Sequence, residues 1–378
     1  MKVVFWISLA WVFYSYAGYM LFLFLATAFK REDVARDGAL PFVSMIIAAF
    51  NEKKCIGDKI RNCFGIDYPA EKFEVIIVSD SSTDGTDEIV TGFGDKRIKF
   101  IRMNERKGKT AAQNSAVRLA KGDILVFSDA TTVYKNDAVR MLVGNFGDPK
   151  VGIAAGEEIL VRKKGSNVYN EVSFSWKYER LLRRLESRFN TLIGVSGCIF
   201  AIRKELYEKL DEGLIEDFAL PILIAEKGYK ARLEKRAVAY EEPVNDPKEE
   251  FDRKARIVRG GINVLVRLRR TLDPRKDPKL AFQLISHKVF RWMTPFFLVT
   301  LLAANAASRG KGAVYDMALA AQIAMYLFAA LGYLMRYSSA RIRIFNIAFH
   351  FCVLNAAAAA GIYKFLKGER EARWEPIR

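Results

Sequence analysis

Apolar residues fall along this chain in two distinct rhythms. The first is long and unbroken: Val3–Phe29 carries 27 residues without a charge, enough to cross a bilayer as a tilted helix. Trp292–Ala307, Met317–Met335 and Ile344–Tyr363 repeat that rhythm near the other end. Between them the apolar runs shorten and alternate with amphipathic stretches. Val43–Ala49, Val75–Val78, Arg97–Arg102 and Asp123–Ser128 read as strands. Helices are expected up to about Phe64, after Thr86 and over Ala111–Ala120. Thr86, followed by Asp87 and Glu88, is expected to cap its helix. Strands alternating with helices imply an α/β fold, a mostly parallel sheet with helices on both faces. Lys248–Arg270 adds a basic amphipathic helix. Its Phe251, Ala255, Val258, Ile262, Leu265 and Val266 recur at helical spacing, which predicts an interfacial helix docked on anionic membrane lipids.

The strand ends carry the chemistry. Val75–Val78 runs into Ser79-Asp80-Ser81-Ser82-Thr83-Asp84-Gly85, and the other strands end at Glu52 and Asp129. In an open α/β sheet, ligands bind beyond the carboxyl ends of the strands. Glu52, Asp80, Lys109 and Asp129 are therefore expected to converge on one edge. No G-x-G-x-x-G and no G-x-x-x-x-G-K-[ST] occurs, which argues against a dinucleotide oxidoreductase and a P-loop NTPase. Carboxylates there can accept from a base N–H or ribose hydroxyls, and Asp129 can hold a hard divalent cation. Arg106, Lys107 and Lys109 supply positive charge for phosphates. A nucleotide diphosphate with a metal fits that set.

Several ordered motifs together resemble the inverting family-2 glycosyltransferases of GT-A fold. They are Ala49-Phe50-Asn51-Glu52, the Asp80–Thr86 loop, Lys107-Gly108-Lys109, Ser128-Asp129-Ala130, Gly197-Cys198-Ile199-Phe200-Ala201-Ile202-Arg203 and Glu216-Asp217. The resemblance covers roughly residues 42–265. It implies a nucleotide-sugar donor held by Glu52, Asp80, Lys109 and Asp129, with Mg²⁺ or Mn²⁺ on Asp129 and Asp217 as catalytic base. The family's D-x-D reads Asp129-Ala130-Thr131 here, so its second carboxylate is missing. A base is what inverting transfer needs at the acceptor hydroxyl. Glu216 is the substitute if Asp217 faces away, and a plain helix N-cap is the alternative for the pair. Gly197 and Cys198, taken to open a strand, are acceptor-site candidates because glycine allows close approach. Processive relatives carry Q-x-x-R-W. Arg253-Lys254-Ala255-Arg256-Ile257 keeps only the arginine, so Arg256 is a donor-diphosphate candidate and non-processive transfer is favoured.

Composition narrows the rest. The net charge is +17 although 51% of residues are hydrophobic, so charge and apolar surface are segregated. Nucleic acid is not the expected partner, since no zinc-finger or RNP fingerprint occurs and much of the Lys and Arg flanks apolar spans. The only two histidines, His287 and His350, fall outside the expected catalytic region, which disfavours a Ser-His-Asp or zinc site. His350 is read as packed or interhelical. Four cysteines form no C-x-x-C. Lys30, Arg31 and Arg36 follow the first span and place the catalytic domain in the cytoplasm of an inner-membrane protein. Glu241–Glu250 reads as a surface connection. The expected organisation is an anchor over 1–30, a GT-A domain over 41–245, interfacial helices over 246–288, C-terminal spans over 289–363 and a basic tail over 364–378. The expected activity is metal-dependent, inverting hexosyl transfer from a nucleotide sugar, UDP-linked in preference, to a lipid-linked or glycan acceptor. The alternatives are a polyprenyl-phosphate sugar synthase and a non-catalytic transporter subunit.

Overall fold

A computed structural model of the protein describes residues 1–30, 40–164, 167–170, 174–243, 246–335 and 342–369. Arg31, Arg36 and the tail beyond 369 lie outside the described residues. The strands are β1 (Val43–Ala49), β2 (Phe73–Ser79), β3 (Ile98–Arg102), β4 (Ile124–Asp129), β5 (Val133–Tyr134), β6 (Val151–Lys164), β7 (Asn167–Asn170), β8 (Phe200–Arg203) and β9 (Lys230–Glu241). They run in the order β3-β2-β1-β4-β8-β6-β9-β5, with β7 beside β6. The first four pair in parallel. Beyond β4 the sheet is mixed: β8 is antiparallel to both β4 and β6, whereas β6 and β9 are parallel.

The helices are α1 (Lys2–Phe13), α2 (Tyr19–Thr27), α3 (Ile56–Phe64), α4 (Thr86–Gly92), α5 (Lys109–Leu119), α6 (Ala138–Gly144), α7 (Phe174–Phe189), α8 (Glu216–Glu226), α9 (Pro247–Arg267), α10 (Pro278–Leu284), α11 (Phe290–Ala307), α12 (Ala313–Leu334) and α13 (Arg343–Leu366). The central strands are apolar on both faces because both faces are covered. Ile46, Ile76, Leu125 and Phe127 face α5, α8 and α9. Met45, Ile47, Val75 and Val126 face α3 and α6.

Among the described residues, four helical runs are long and apolar enough to cross a membrane: Lys2–Thr27, Pro278–Ala307, Ala313–Leu334 and Arg343–Leu366. Their outward residues, such as Val3, Leu25, Val299 and Leu334, are largely exposed, as lipid-facing side chains are. The second run begins well before Trp292, where its apolar stretch was expected to start. A π-turn over Ile285–Val289 joins α10 to α11, and the charges there find partners instead of ending the helix. His287 bonds Glu186 at 2.8 Å, and Arg291 pairs with Glu179. Both acids sit on α7. Trp11 of α1 stacks on Phe290 and Phe297 of α11 at 3.9 and 4.1 Å.

Two expectations change here. The apolar side of α9 is occupied by protein: a Cβ on Gly361 of α13 would lie 2.6 Å from the Ala255 carbonyl and 2.9 Å from Val258. Val264 and Leu265 enter the sheet core, so a lipid-bound apolar face is not what this helix presents. His350 is exposed rather than packed.

Candidate active site

The edge predicted from the strand ends is built by sharp turns. Asn51 and Ser81, just past β1 and β2, adopt left-handed φ of 56° and 61°, a region asparagine tolerates better than most residues. Thr86 does not cap α4. It is the first helical residue, and Asp84 accepts from both its N–H (3.0 Å) and its hydroxyl (2.5 Å). The Thr86 oxygen in turn accepts from the Glu52 N–H at 2.8 Å. Burial raises the Asp84 pKa, but the Thr86 hydroxyl and the Lys53 and Thr86 N–H groups outweigh it and hold the carboxyl below its ordinary value.

Asp80 is buried and accepts from the backbone N–H groups of Lys107 and Gly108, each at 2.8 Å. Gly108 reaches that position with φ of 90°, which favours glycine. The bonds fix the start of α5 and so aim Lys109. Lys109 Nζ lies 2.6 Å from Asp129 and 2.9 Å from Glu216. Burial pulls the Lys109 pKa down, but the two carboxylates outweigh it and leave the ammonium well above its usual value. Gln113 also donates to Glu216, at 3.2 Å.

Asp217 is the second residue of α8, and no side chain caps that helix, so the pair is not an N-cap. A Cβ on Gly197 would lie 3.2 Å from Lys109 Nζ and 3.4 Å from Asp217 Oδ2. Gly197 therefore sits against the charged cluster. It does not open a strand, since β8 begins at Phe200. Burial, followed by the charge of Glu216, pushes the Asp217 pKa up to about 7, with Lys109 pulling the other way. Cys198 is buried elsewhere, beside Glu158 and Glu241, and the three ligand atoms lie within 4.8 Å of one another. Burial and then Glu158 raise the Glu241 pKa well above the carboxylate range.

Three features were not legible beforehand. Lys59 is buried under β4, donating to Ser128 Oγ and the Thr132 carbonyl, each at 2.7 Å, with Nζ 4.4 Å from the Tyr134 ring centre. It braces the turn carrying Asp129. Glu241, expected in a surface connection, lies 3.4 Å from Thr131 in that same turn. The third is a cavity of about 2540 Å³ that starts at Glu52, Lys109, Asp129 and Asp217 and continues to Met20, Phe24, Ile347 and Leu354 of the apolar helices. Arg256 lines it from α9. Asp80 does not reach its wall, because the Lys107-Gly108 turn covers its carboxylate.

The comparisons with known proteins follow this geometry. Residues 44–211 match the family described as glycosyl transferase family 2. A probable glycosyltransferase, YdaM of Bacillus subtilis, is 28% identical over 69% of this chain and 65% of its own length. A poly-beta-1,6-N-acetyl-D-glucosamine synthase of Staphylococcus aureus is 27% identical over 63% of this chain and 58% of its own. The chain thus spans somewhat under two thirds of these curated relatives. Among solved structures, the mannosyltransferase PcManGT from Pyrobaculum calidifontis in complex with GDP-Man and Mn²⁺ aligns with a TM-score of 0.76. It is 23% identical, over 97% of this chain and 99% of that one, a likeness of fold that includes the apolar helices. The match to the glycosyl transferase family 2 model thus falls on the sheet and its site, and the described residues outside it include four helical runs able to cross a membrane.

Proposed function

We propose that the protein is a membrane-embedded, inverting glycosyltransferase that moves a hexose from a nucleotide-diphosphate sugar to a hydroxyl of a lipid-linked or glycan acceptor. The observation that carries this reading is Asp217. Its carboxylate lines a large cavity, and its pKa is raised to about 7 beside a buried Lys109–Glu216 pair. A general base works best with a pKa near the working pH. Asp217 takes the acceptor proton while the acceptor oxygen bonds to the anomeric carbon. The bond from that carbon to the donor phosphate breaks, and the nucleotide diphosphate leaves. One displacement inverts the centre. Glu216 is held by Lys109 and Gln113 and serves as the partner that keeps Asp217 basic.

Asp129 fits a divalent metal. Its carboxylate already holds an ammonium at 2.6 Å while its side chain stays 24% exposed, and it lines the cavity. Mg²⁺ or Mn²⁺ bound there supplies charge neutralisation for the departing diphosphate. Glu241, beside Thr131, stands where a second carboxylate could take over from the one that Ala130-Thr131 lacks. UDP-sugars come first in a donor screen, and GDP-mannose second because PcManGT was solved with it. Arg256 without the neighbouring glutamine and tryptophan favours addition of one or a few sugars. Cytosolic nucleotide sugars and Lys30 after the first span favour a cytoplasmic catalytic domain.

The experiment is a panel of nucleotide sugars with Mn²⁺ on detergent-purified protein, scored by thermal stabilisation and release of nucleotide diphosphate. Selective response to one donor, with transfer abolished but binding retained in Asp217→Asn, is the expected result. Loss of donor binding in that variant would remove Asp217 from the base role. Retained transfer would favour the second reading, a bare polyprenyl phosphate as acceptor, because a phosphate needs no strong base.

A further inference from the structure

The membrane end of the cavity has a surplus of cations. Arg291 is paired with Glu179, and His287 is shared between Glu186 and Glu179. Lys288, between them in sequence, has no hydrogen-bond or ion-pair partner among the described residues; its ammonium stands 5.4 Å from the Phe218 ring centre. Across from it, α7 carries Glu179, Arg183 and Glu186 on one face, by their spacing of four and three residues. Arg183 Nε and Nη2 are sealed from solvent without a hydrogen-bond partner, and so is the Tyr178 hydroxyl. Lys288, Arg183 and Tyr178 all line the cavity. Guanidinium nitrogens sealed from water without an acceptor are costly, and two cations with a hydroxyl in the wall of one cavity call for an anion.

Their position separates them from the donor. Asp129 and Lys109 stand at the sheet edge, whereas α7 packs Leu182 and Leu185 on Tyr19 and Leu23 of the first apolar run. Beyond the cations the wall is apolar, with Met20, Phe24, Ile347 and Leu354. Resting on the transferase reading above, we infer that Lys288 and Arg183, with the Tyr178 hydroxyl, bind the phosphate of a membrane lipid that carries the acceptor. Its hydrocarbon chain lies along that apolar wall and its head reaches toward Asp217, the chain neighbour of the Phe218 whose ring Lys288 faces. Charge complementarity and the continuous apolar lining commit the site to a lipid phosphate rather than free phosphate.

The test uses the detergent-purified full chain, with quenching of Trp176 and Trp292, both in the cavity wall, as readout. Geranylgeranyl phosphate, geranylgeraniol, inorganic phosphate and the nucleotide diphosphates UDP and GDP are the probes. The lipid phosphate should bind at least 10-fold tighter than the alcohol. Lys288→Gln and Arg183→Gln should each weaken it at least 10-fold, and Lys288→Arg should restore most of the loss. Nucleotide affinity should stay within 2-fold in all three variants. Three results would overturn the inference: equal binding of phosphate and alcohol, displacement by inorganic phosphate at equal concentration, or nucleotide affinity falling together with lipid affinity. Failure of the transferase reading looks different: no nucleotide binds, while the lipid-phosphate pattern stands.

Discussion

Asp80 and Asp129 leave the same sheet edge on strands that flank β1, yet they are held in opposite ways. Asp80 takes two fixed backbone N–H groups and is closed off from the cavity. Asp129 takes a side-chain ammonium and stays partly open to it. Backbone donors cannot leave without unfolding a turn, so the first carboxylate holds that turn in place. An ammonium on a four-carbon stem can move when a ligand arrives, so the second belongs to a site that responds. Asp217 goes further in the same direction: its environment opposes its charge.

Substitutions should separate these roles. The largest effect is expected from Asp217→Asn: transfer falls by about 10²–10⁴-fold with donor affinity unchanged. The wild-type kcat/KM should fall with acid below pH about 7, following the raised Asp217 pKa. The same shift has a stability consequence with a definite sign. An acid whose folded pKa lies above its unfolded value near 3.8 favours folding at low pH, and this contribution is lost as pH rises through about 7. Asp217→Asn should therefore have a higher Tm than wild type at pH 8 and a similar one at pH 4.

Next is Lys109→Met, which strands Glu216 and Asp129 and is expected to destabilise by about 3–5 kcal/mol. In the protein that still folds, the acid limb should move above pH 7, because a lowering influence on Asp217 has gone. An unmoved limb would disconnect Lys109 from the base. Asp80→Ala should cost about 1–3 kcal/mol for each buried N–H left without an acceptor. It should weaken nucleotide binding only indirectly, by loosening the turn that aims Lys109, and Asp80→Asn should recover part of the loss. The smallest effect is expected for Glu241→Gln. Burial and Glu158 already oppose the charge of this acid, and glutamine removes that charge while keeping the shape, so chemical denaturation should register about 1 kcal/mol or less. A rise in the Mn²⁺ concentration needed for turnover would then identify Glu241 as a ligand.

The strand ends were legible in the sequence because central strands covered on both faces are written as uninterrupted apolar runs. Glu52, Lys109 and Asp129 were placed on one sheet edge for the same reason, since each follows such a run or opens a helix; Asp80, expected with them, does not reach the cavity wall, and Asp217 came from the family resemblance. In the mixed half of the sheet β8 was legible, but β6 and β9 were not. β6 and β9 are long and carry Glu157, Glu158, Arg232 and Glu234 within them, so their pattern hides a strand. Lys59 reads as a surface lysine, since only tertiary placement under Ser128 and Thr132 buries it. Arg183 and Lys288 belong to stretches dense in charge, and sequence does not say which charges pair.

Glu186 also bears on how the chain is made. It is buried, with Tyr19 from the first apolar run and His287 from the second as its partners. Tyr14 and Ser286 add a contact between the same two runs across 272 positions of sequence. During synthesis the first run is complete while the partner acid is still untranslated, and His287 follows only after the whole sheet has emerged. Final docking of α7 therefore waits on the second run, so that the packing around Glu186 is finished after the sheet rather than with it.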